Sequence, residues 1–308
     1  MKWHKVGNIF TPEKHLVNKG LSFGAVPLVG AIHNNLVDIY FTVRNNLNQS
    51  LFFKAVFDFD DNYRIVDLTT RSLLELGEPG TFDENGVMAC QFININGEEF
   101  IYYQGWNIAQ TVPFRNAIGL ARYNTKNSMF EKISSGPILD RSIYDPCFVA
   151  TPFVLQEAKN RFLMYYLSCD RWIKIQGGVL HQYNIKIAHS TNGIDWSRNG
   201  EIAIDYANEY EYAFSVPRVI KEDGIYKMWY SYRGGKGHLT YRLGYAESDD
   251  GIKWERKDEL IGIDVSAQGW DSEMISYPYV FDYLNKRYLL YNGNNYGASG
   301  FGLAIWEN

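Results

Sequence analysis

Residues 217–232 read PRVIKEDGIYKMWYSY: an apolar strand, a polar turn at Glu222-Asp223-Gly224, and an aromatic strand. The same phrase returns at 278–291 (PYVFDYLNKRYLLY) and 152–166 (PFVLQEAKNRFLMYY), and its start is recognisable around Pro27 and Ala89. The anchors Pro27, Ala89, Pro152, Pro217 and Pro278 are separated by 62, 63, 65 and 61 residues. A strand-built repeat of about sixty residues predicts radial repetition of small antiparallel sheets. The expected fold is therefore all-β, a five-bladed β-propeller occupying residues 1–308 as a single domain.

The second half of each repeat supports this. KIAHSTNGIDW (186–196) and GYAESDDGIKW (244–254) each place an Asn-Gly or Asp-Gly pair between apolar segments, a strong turn signal because Gly accepts positive φ. The chain ends on GLAIWEN, the start of this motif, and begins on MKWHKVGNIF, its other half. The N-terminal strand is thus expected to join the C-terminal blade and close the ring, removing exposed sheet edges. No sustained helical periodicity occurs, and 67–82 reads as a connector with at most one helical turn.

Composition narrows the function. A net charge of −5 carries no basic footprint, which argues against nucleic acid and anionic membrane partners. The 23 Tyr, 18 Phe and 8 Trp suit strand packing and also supply flat faces on which sugar rings stack. Cys90, Cys147 and Cys169 have no metal-type spacing, so no disulfide framework, metal or other cofactor is expected, although clustered acids leave a divalent ion in the channel conceivable. The charged start MKWHKVGNIFTPEKH lacks the apolar run of a signal peptide, giving a cytoplasmic expectation. The pattern does not set the oligomeric state.

Acids recur at one repeat position. Asp83 and Glu211 stand six residues before their anchors; Asp145 and Asp271 stand seven before theirs, with Glu84 and Glu273 close by. If innermost strands bring these carboxylates to one channel mouth, like-charge repulsion would raise the pKa of one of them, as acid-catalysed glycoside cleavage requires. Taken singly, each reads equally as a turn or capping residue, Asp145-Pro146 above all. Further candidates are Arg218, Arg233 and Arg242 for an anionic group, His238 beside the glycine-rich 234–237, Trp106 and Trp270 for ring stacking, and Asn292 for hydroxyl contacts. Ser-His-Asp order, HExxH and a dinucleotide fingerprint are all missing.

FDENGV, YSYRGG, YRLGYAES, GWDSEM and YNGNNYG, with the DGIKW hairpin phrase, resemble the five-bladed propeller glycosidases, the superfamily of glycoside hydrolase families 43, 32, 68 and 130. They are most similar to a branch associated with bacterial surface-polysaccharide gene sets. The resemblance covers essentially the whole chain. It implies a glycoside hydrolase with Glu211 as general acid, Asp145 as the residue that tunes and orients, and Asp83 as general base. Inversion would need an acid–base separation of about 6.5–9.5 Å. The first repeat, LSFGAVP (21–27), lacks the carboxylate that family 43 carries there. Two alternatives stay open: a transferase, phosphorylase or other enzyme of nucleotide-sugar chemistry, and a non-catalytic sugar-binding propeller. In each the partner is a carbohydrate or nucleotide sugar.

Overall fold

The computed structural model describes residues 2–307. Twenty strands run through them. The N-terminal strand β1 (Trp3–Phe10) is followed by β2 (Leu21–His33), β3 (Leu36–Asn45), β4 (Ser50–Asp58) and β5 (Arg64–Leu68), then by β6 (Gly86–Ile95), β7 (Glu98–Ile108), β8 (Phe114–Asn124) and β9 (Met129–Lys132). The central part contributes β10 (Phe148–Ala158), β11 (Arg161–Ile175), β12 (Gly178–Ser190) and β13 (Ile202–Ile204). It continues with β14 (Ala213–Glu222), β15 (Ile225–Arg233), β16 (Arg242–Ser248) and β17 (Glu255–Arg256), and the chain finishes with β18 (Ser276–Tyr283), β19 (Lys286–Asn292) and β20 (Phe301–Trp306).

Antiparallel pairing sorts these into four-stranded meanders: β2 to β5, β6 to β9, β10 to β13, β14 to β17, and β18-β19-β20 completed by β1. The last pairing sets Trp3 opposite Trp306 and Phe10 opposite Phe301, as the split motif at the two chain ends predicts. Single parallel bridges, Ser50 with Gly86 and Tyr183 with Ala213, join the first meander to the second and the third to the fourth. No sheet closes on itself among the described residues. Among the described residues no helix is long and apolar enough to cross a membrane, and the connector after β5 contains no helical turn.

Packing rather than hydrogen bonding holds the meanders side by side. Separate apolar cores lie between the first and second (Phe52, Val87, Ile101), the second and third (Tyr102, Leu120, Met164), the third and fourth (Tyr165, Ile187, Met228), and the fourth and fifth (Trp229, Tyr245, Leu289). A further core joins the last meander to the first through Phe10, Phe41, Phe53, Leu290 and Phe301. Burying such aromatic and branched side chains contributes roughly 1.5–3 kcal/mol each, the dominant favourable contribution in a strand-rich chain.

The first strand of each meander is bulged at its anchor. Register shifts fall at Ala25/Leu28, Ala89/Gln91, Ala150/Phe153, Ser215/Arg218 and Ser276/Tyr279. The residue before each proline anchor takes positive φ: Val26 at 51°, Thr151 at 42°, Val216 at 50° and Tyr277 at 57°. That conformation is costly for side chains of this kind, so it persists only where surroundings hold it. Here a side chain outside the strand accepts each exposed N–H: Asn292 Oδ1 from Val26, Gln104 Oε1 from Thr151, Thr151 Oγ1 from Val216 and Ser231 Oγ from Tyr277.

The two Gly turns are looser than the two-residue hairpins expected. Asn192 and Asp250 fold back through their side-chain oxygens, each accepting from two following N–H groups, so a longer loop replaces the tight turn.

Candidate functional site: an aromatic cavity with unpaired cations

The four repeat acids are each engaged within their own meander. Each is almost fully buried (Asp83 1%, Asp145 0%, Glu211 3%, Asp271 1% exposed) and is committed to a cation on, or just ahead of, the last strand of its own meander. Asp83 meets Lys132 at 2.6 Å and accepts from the Tyr103 hydroxyl at 2.9 Å. Asp145 meets Arg198 at 3.2 Å and accepts from Ser142, Tyr166 and Ser168. Glu211 takes a two-pronged bond from Arg256 at 2.7 and 2.9 Å, and Asp271 meets Lys5 at 2.7 Å with the Tyr291 hydroxyl at 3.1 Å. These latches tie the loop entering a meander to that meander's closing strand. The physical reason is desolvation: a carboxylate buried at this depth needs a cation and donors close by, and the fold supplies them locally.

A cavity of about 760 Å³ lies elsewhere, and among the described residues no Asp or Glu lines it. Its wall carries all five residues that immediately precede the anchors, Val26, Met88, Thr151, Val216 and Tyr277, because the bulges turn that position inward. Around them stand the rings of Trp106, Phe114 and Phe148, the amides of Gln104 and Asn116, and a polar group made of Arg44, Arg233, His181, Tyr183, Tyr241 and Tyr296.

That polar group is tightly packed. The Arg233 guanidinium sits 4.3 Å from the centre of the Tyr241 ring and 5.0 Å from that of Tyr296. Tyr183 and Tyr241 share a hydroxyl–hydroxyl hydrogen bond. His181 stacks on Tyr183 with centroids 4.8 Å apart, and burial, aided by the charge of Arg233, pushes its pKa down to about 4, so the ring is neutral near pH 7. Burial raises the Tyr183 and Tyr277 hydroxyls above the usual tyrosine range, leaving both protonated. Arg44 lies over the Phe23 ring at 4.9 Å and donates to Asn48.

The other sequence candidates scatter. Trp106 lines the cavity and donates its indole N–H to Ser50 Oγ, which holds the ring in place. Trp270 packs on Tyr291 inside the last meander, against Gly293 and Gly302, and is not a cavity residue. Arg218 is half-buried and not a cavity residue, donating to Gln91 and lying over Phe153 and Tyr279, with the Tyr279 hydroxyl donating to Val29 O; it joins the first strands of the meanders. Arg242 pairs with Asp264 and donates to Glu273 O. Glu84 accepts from Gly80 N–H in the entry loop, and the exposed Glu273 offers its backbone to Thr240 and Asn294.

Asn292 is fully buried and spends its amide on Gly24, Val26 and Gly300. His238 lies outside the cavity wall; its carbonyl closes the turn after Arg233 by accepting from Gly234 N–H at 2.7 Å. Glycine is required at 234, where φ is +85° and a Cβ would stand 1.8 Å from the Tyr210 carbonyl oxygen. Of the named candidates, only Trp106 and Arg233 reach the cavity. Among the described residues, no cluster of three His, Cys, Asp or Glu side chains could hold a metal ion.

The chain is 35% identical over 308 residues, the full length of both proteins, to the uncharacterized protein Rv1502 of Mycobacterium tuberculosis. The chain belongs to the family of Rv1502. No protein-family model matches it. Among solved structures it superposes on a glycoside hydrolase with a TM-score of 0.76 at 17% identity, covering 99% of this chain and 92% of that one. It superposes on a thermostable family-43 glycoside hydrolase with a TM-score of 0.69 at 16% identity, covering 94% and 91%. The Rv1502 family thus shares the fold of the propeller-type glycoside hydrolases.

Proposed function

We propose that the chain is a carbohydrate-handling protein of glycosidase-like fold, a single five-bladed propeller closed by β1, whose working site is the central cavity and not the repeat acids. The observation that carries this reading is the cavity itself: its size suits a mono- or disaccharide, and its wall alternates aromatic faces with amide and hydroxyl groups. Five-fold closure is supported by the apolar core between the last and first meanders, and by the five anchor-preceding residues sharing one cavity.

Two-carboxylate hydrolysis through Asp83, Asp145 and Glu211 is disfavoured, because each is held by a cation away from the cavity. Sugar binding is the first reading. A catalytic reading is favoured by one further observation, the Tyr183–Tyr241 hydroxyl pair beside neutral His181, which offers a proton donor and an acceptor within the cavity.

Proton NMR of the purified chain with a panel of glycosides and oligosaccharides separates these outcomes. Line broadening without new anomeric signals establishes binding. New anomeric signals that vanish in Tyr241→Phe and survive in Asp83→Asn establish catalysis in the cavity. Turnover that vanishes in Asp83→Asn while the variant stays folded overturns the cavity assignment.

A further inference from the structure

The cavity holds positive charge that no carboxylate among the described residues neutralises. Arg233 and Arg44 both line it, and neither forms an ion pair with any carboxylate among the described residues. Two other arginines of the same meander are matched, Arg242 with Asp264 and Arg256 with both Glu211 and Asp258, whereas Arg218, off the cavity wall, donates to Gln91 and has no carboxylate partner among the described residues. The Arg233 Nε is buried without an acceptor, and the His181 Nε2 is buried without a hydrogen-bond partner. A guanidinium withdrawn from water without a counter-charge is costly, and a buried donor without an acceptor adds to that cost. Arg44 stands on β3 of the first meander and Arg233 on β15 of the fourth, so the two cations face one cavity from different meanders. Rings of Tyr241, Tyr296 and Phe23 hold the guanidinium planes from behind by cation–π contact, which fixes them without discharging them.

We propose that the cavity takes an anionic sugar, whose carboxylate or phosphate is bound by Arg233 and Arg44 while the pyranose ring rests on the aromatic wall that includes Trp106. A planar guanidinium matches either oxyanion by two parallel N–H donors, and its charge is satisfied only when the ligand arrives. A neutral hexose would leave both half-buried cations without a counter-charge. This inference rests on the reading of the cavity as a carbohydrate site.

The test is calorimetric titration of the full chain with matched pairs: gluco-, galacto- and manno-configured hexuronates against their hexoses for a carboxylate, hexose 1-phosphates and a uridine-diphosphate hexose against the same hexoses for a phosphate, and inorganic phosphate alone. We expect the acidic member of at least one pair to bind about tenfold tighter or better than its neutral twin, with the gap shrinking as salt rises. Which pair shows the gap identifies the source of the anion. Arg233→Met and, independently on another meander, Arg44→Met should each reduce the preference by about tenfold. Equal affinity for both members of every pair, a preference unchanged in both variants, or inorganic phosphate binding as tightly as the sugar phosphate would overturn the inference. Neutral sugars bound without preference would leave the carbohydrate reading standing; no sugar bound, acidic or neutral, would overturn both.

Discussion

The entry loops and the cavity wall treat charge in opposite ways. In the loops, Asp83, Asp145, Glu211 and Asp271 are each matched to a cation and further donors, so the charge is discharged within the meander that carries it. On the cavity wall, Arg44 and Arg233 lie against aromatic rings with no acid opposite. Burial alone therefore does not mark a functional group in this fold. The matched acids and cations hold the structure together, and so does Arg218 through Gln91 and two rings, whereas the unmatched Arg44 and Arg233 stand where a ligand can reach them.

The largest expected effect lies on the matched side. Asp145→Ala strips Arg198 of its counter-charge and leaves the hydroxyls of Ser142, Tyr166 and Ser168 without their acceptor, which should cost about 3–5 kcal/mol in urea denaturation. A cost under about 1 kcal/mol would dissolve the distinction between the two regions. Glu211→Gln is milder, about 2–3 kcal/mol, since Arg256 keeps Asp258 at 2.6 Å; sugar affinity in the cavity should stay within twofold of the unmodified protein.

The cavity side has its own pH signature. The His181 pKa is about 4 in the folded protein, below the ordinary ~6.5 of an unfolded chain. The unfolded chain therefore takes up the proton first. Stability from this group is complete above about pH 6.5, falls on the order of 3 kcal/mol as pH drops to about 4, and then levels off. Replacing His181 with Gln should flatten that limb in denaturation curves recorded from pH 7 to 4; an unchanged limb would show that the ring titrates normally. Smallest is the stability effect of Arg233→Met, expected within about 1 kcal/mol of zero in either direction, because no ion pair is broken. A loss comparable to that of Asp145→Ala would mean that Arg233 is a structural cation like the rest.

Much of the architecture was legible in the residues. The anchor spacing predicted the repeated meanders, and the half-motifs GLAIWEN and MKWHKVGNIF predicted the β1–β20 pairing that is found. The acids at six and seven residues before the anchors were equally regular, but regularity has two physical sources. A repeat position can recur because every blade needs the same latch, or because all blades face one site. Ion pairing to Lys132, Arg198, Arg256 and Lys5 identifies the first source here. The second belongs to the position one residue before each anchor, where Val26, Met88, Thr151, Val216 and Tyr277 differ in type and so form no motif. Register to the anchor, not residue identity, was the signal that could have found them.

Arg44, His181, Tyr183, Tyr241 and Tyr296 had no signal of that kind, since they come from strands and loops of four different meanders. The amino-acid sequence by itself determined the period, the strand pairs and the split last meander, because these depend on local alternation and on turn residues a few positions apart. Only the tertiary structure decided which charges are matched. Pairing depends on distances across the fold: Asp271 finds Lys5 266 residues away in the chain, while Arg233, in a meander whose Glu211, Glu222, Glu247 and Asp258 are committed to other cations, finds none among the described residues.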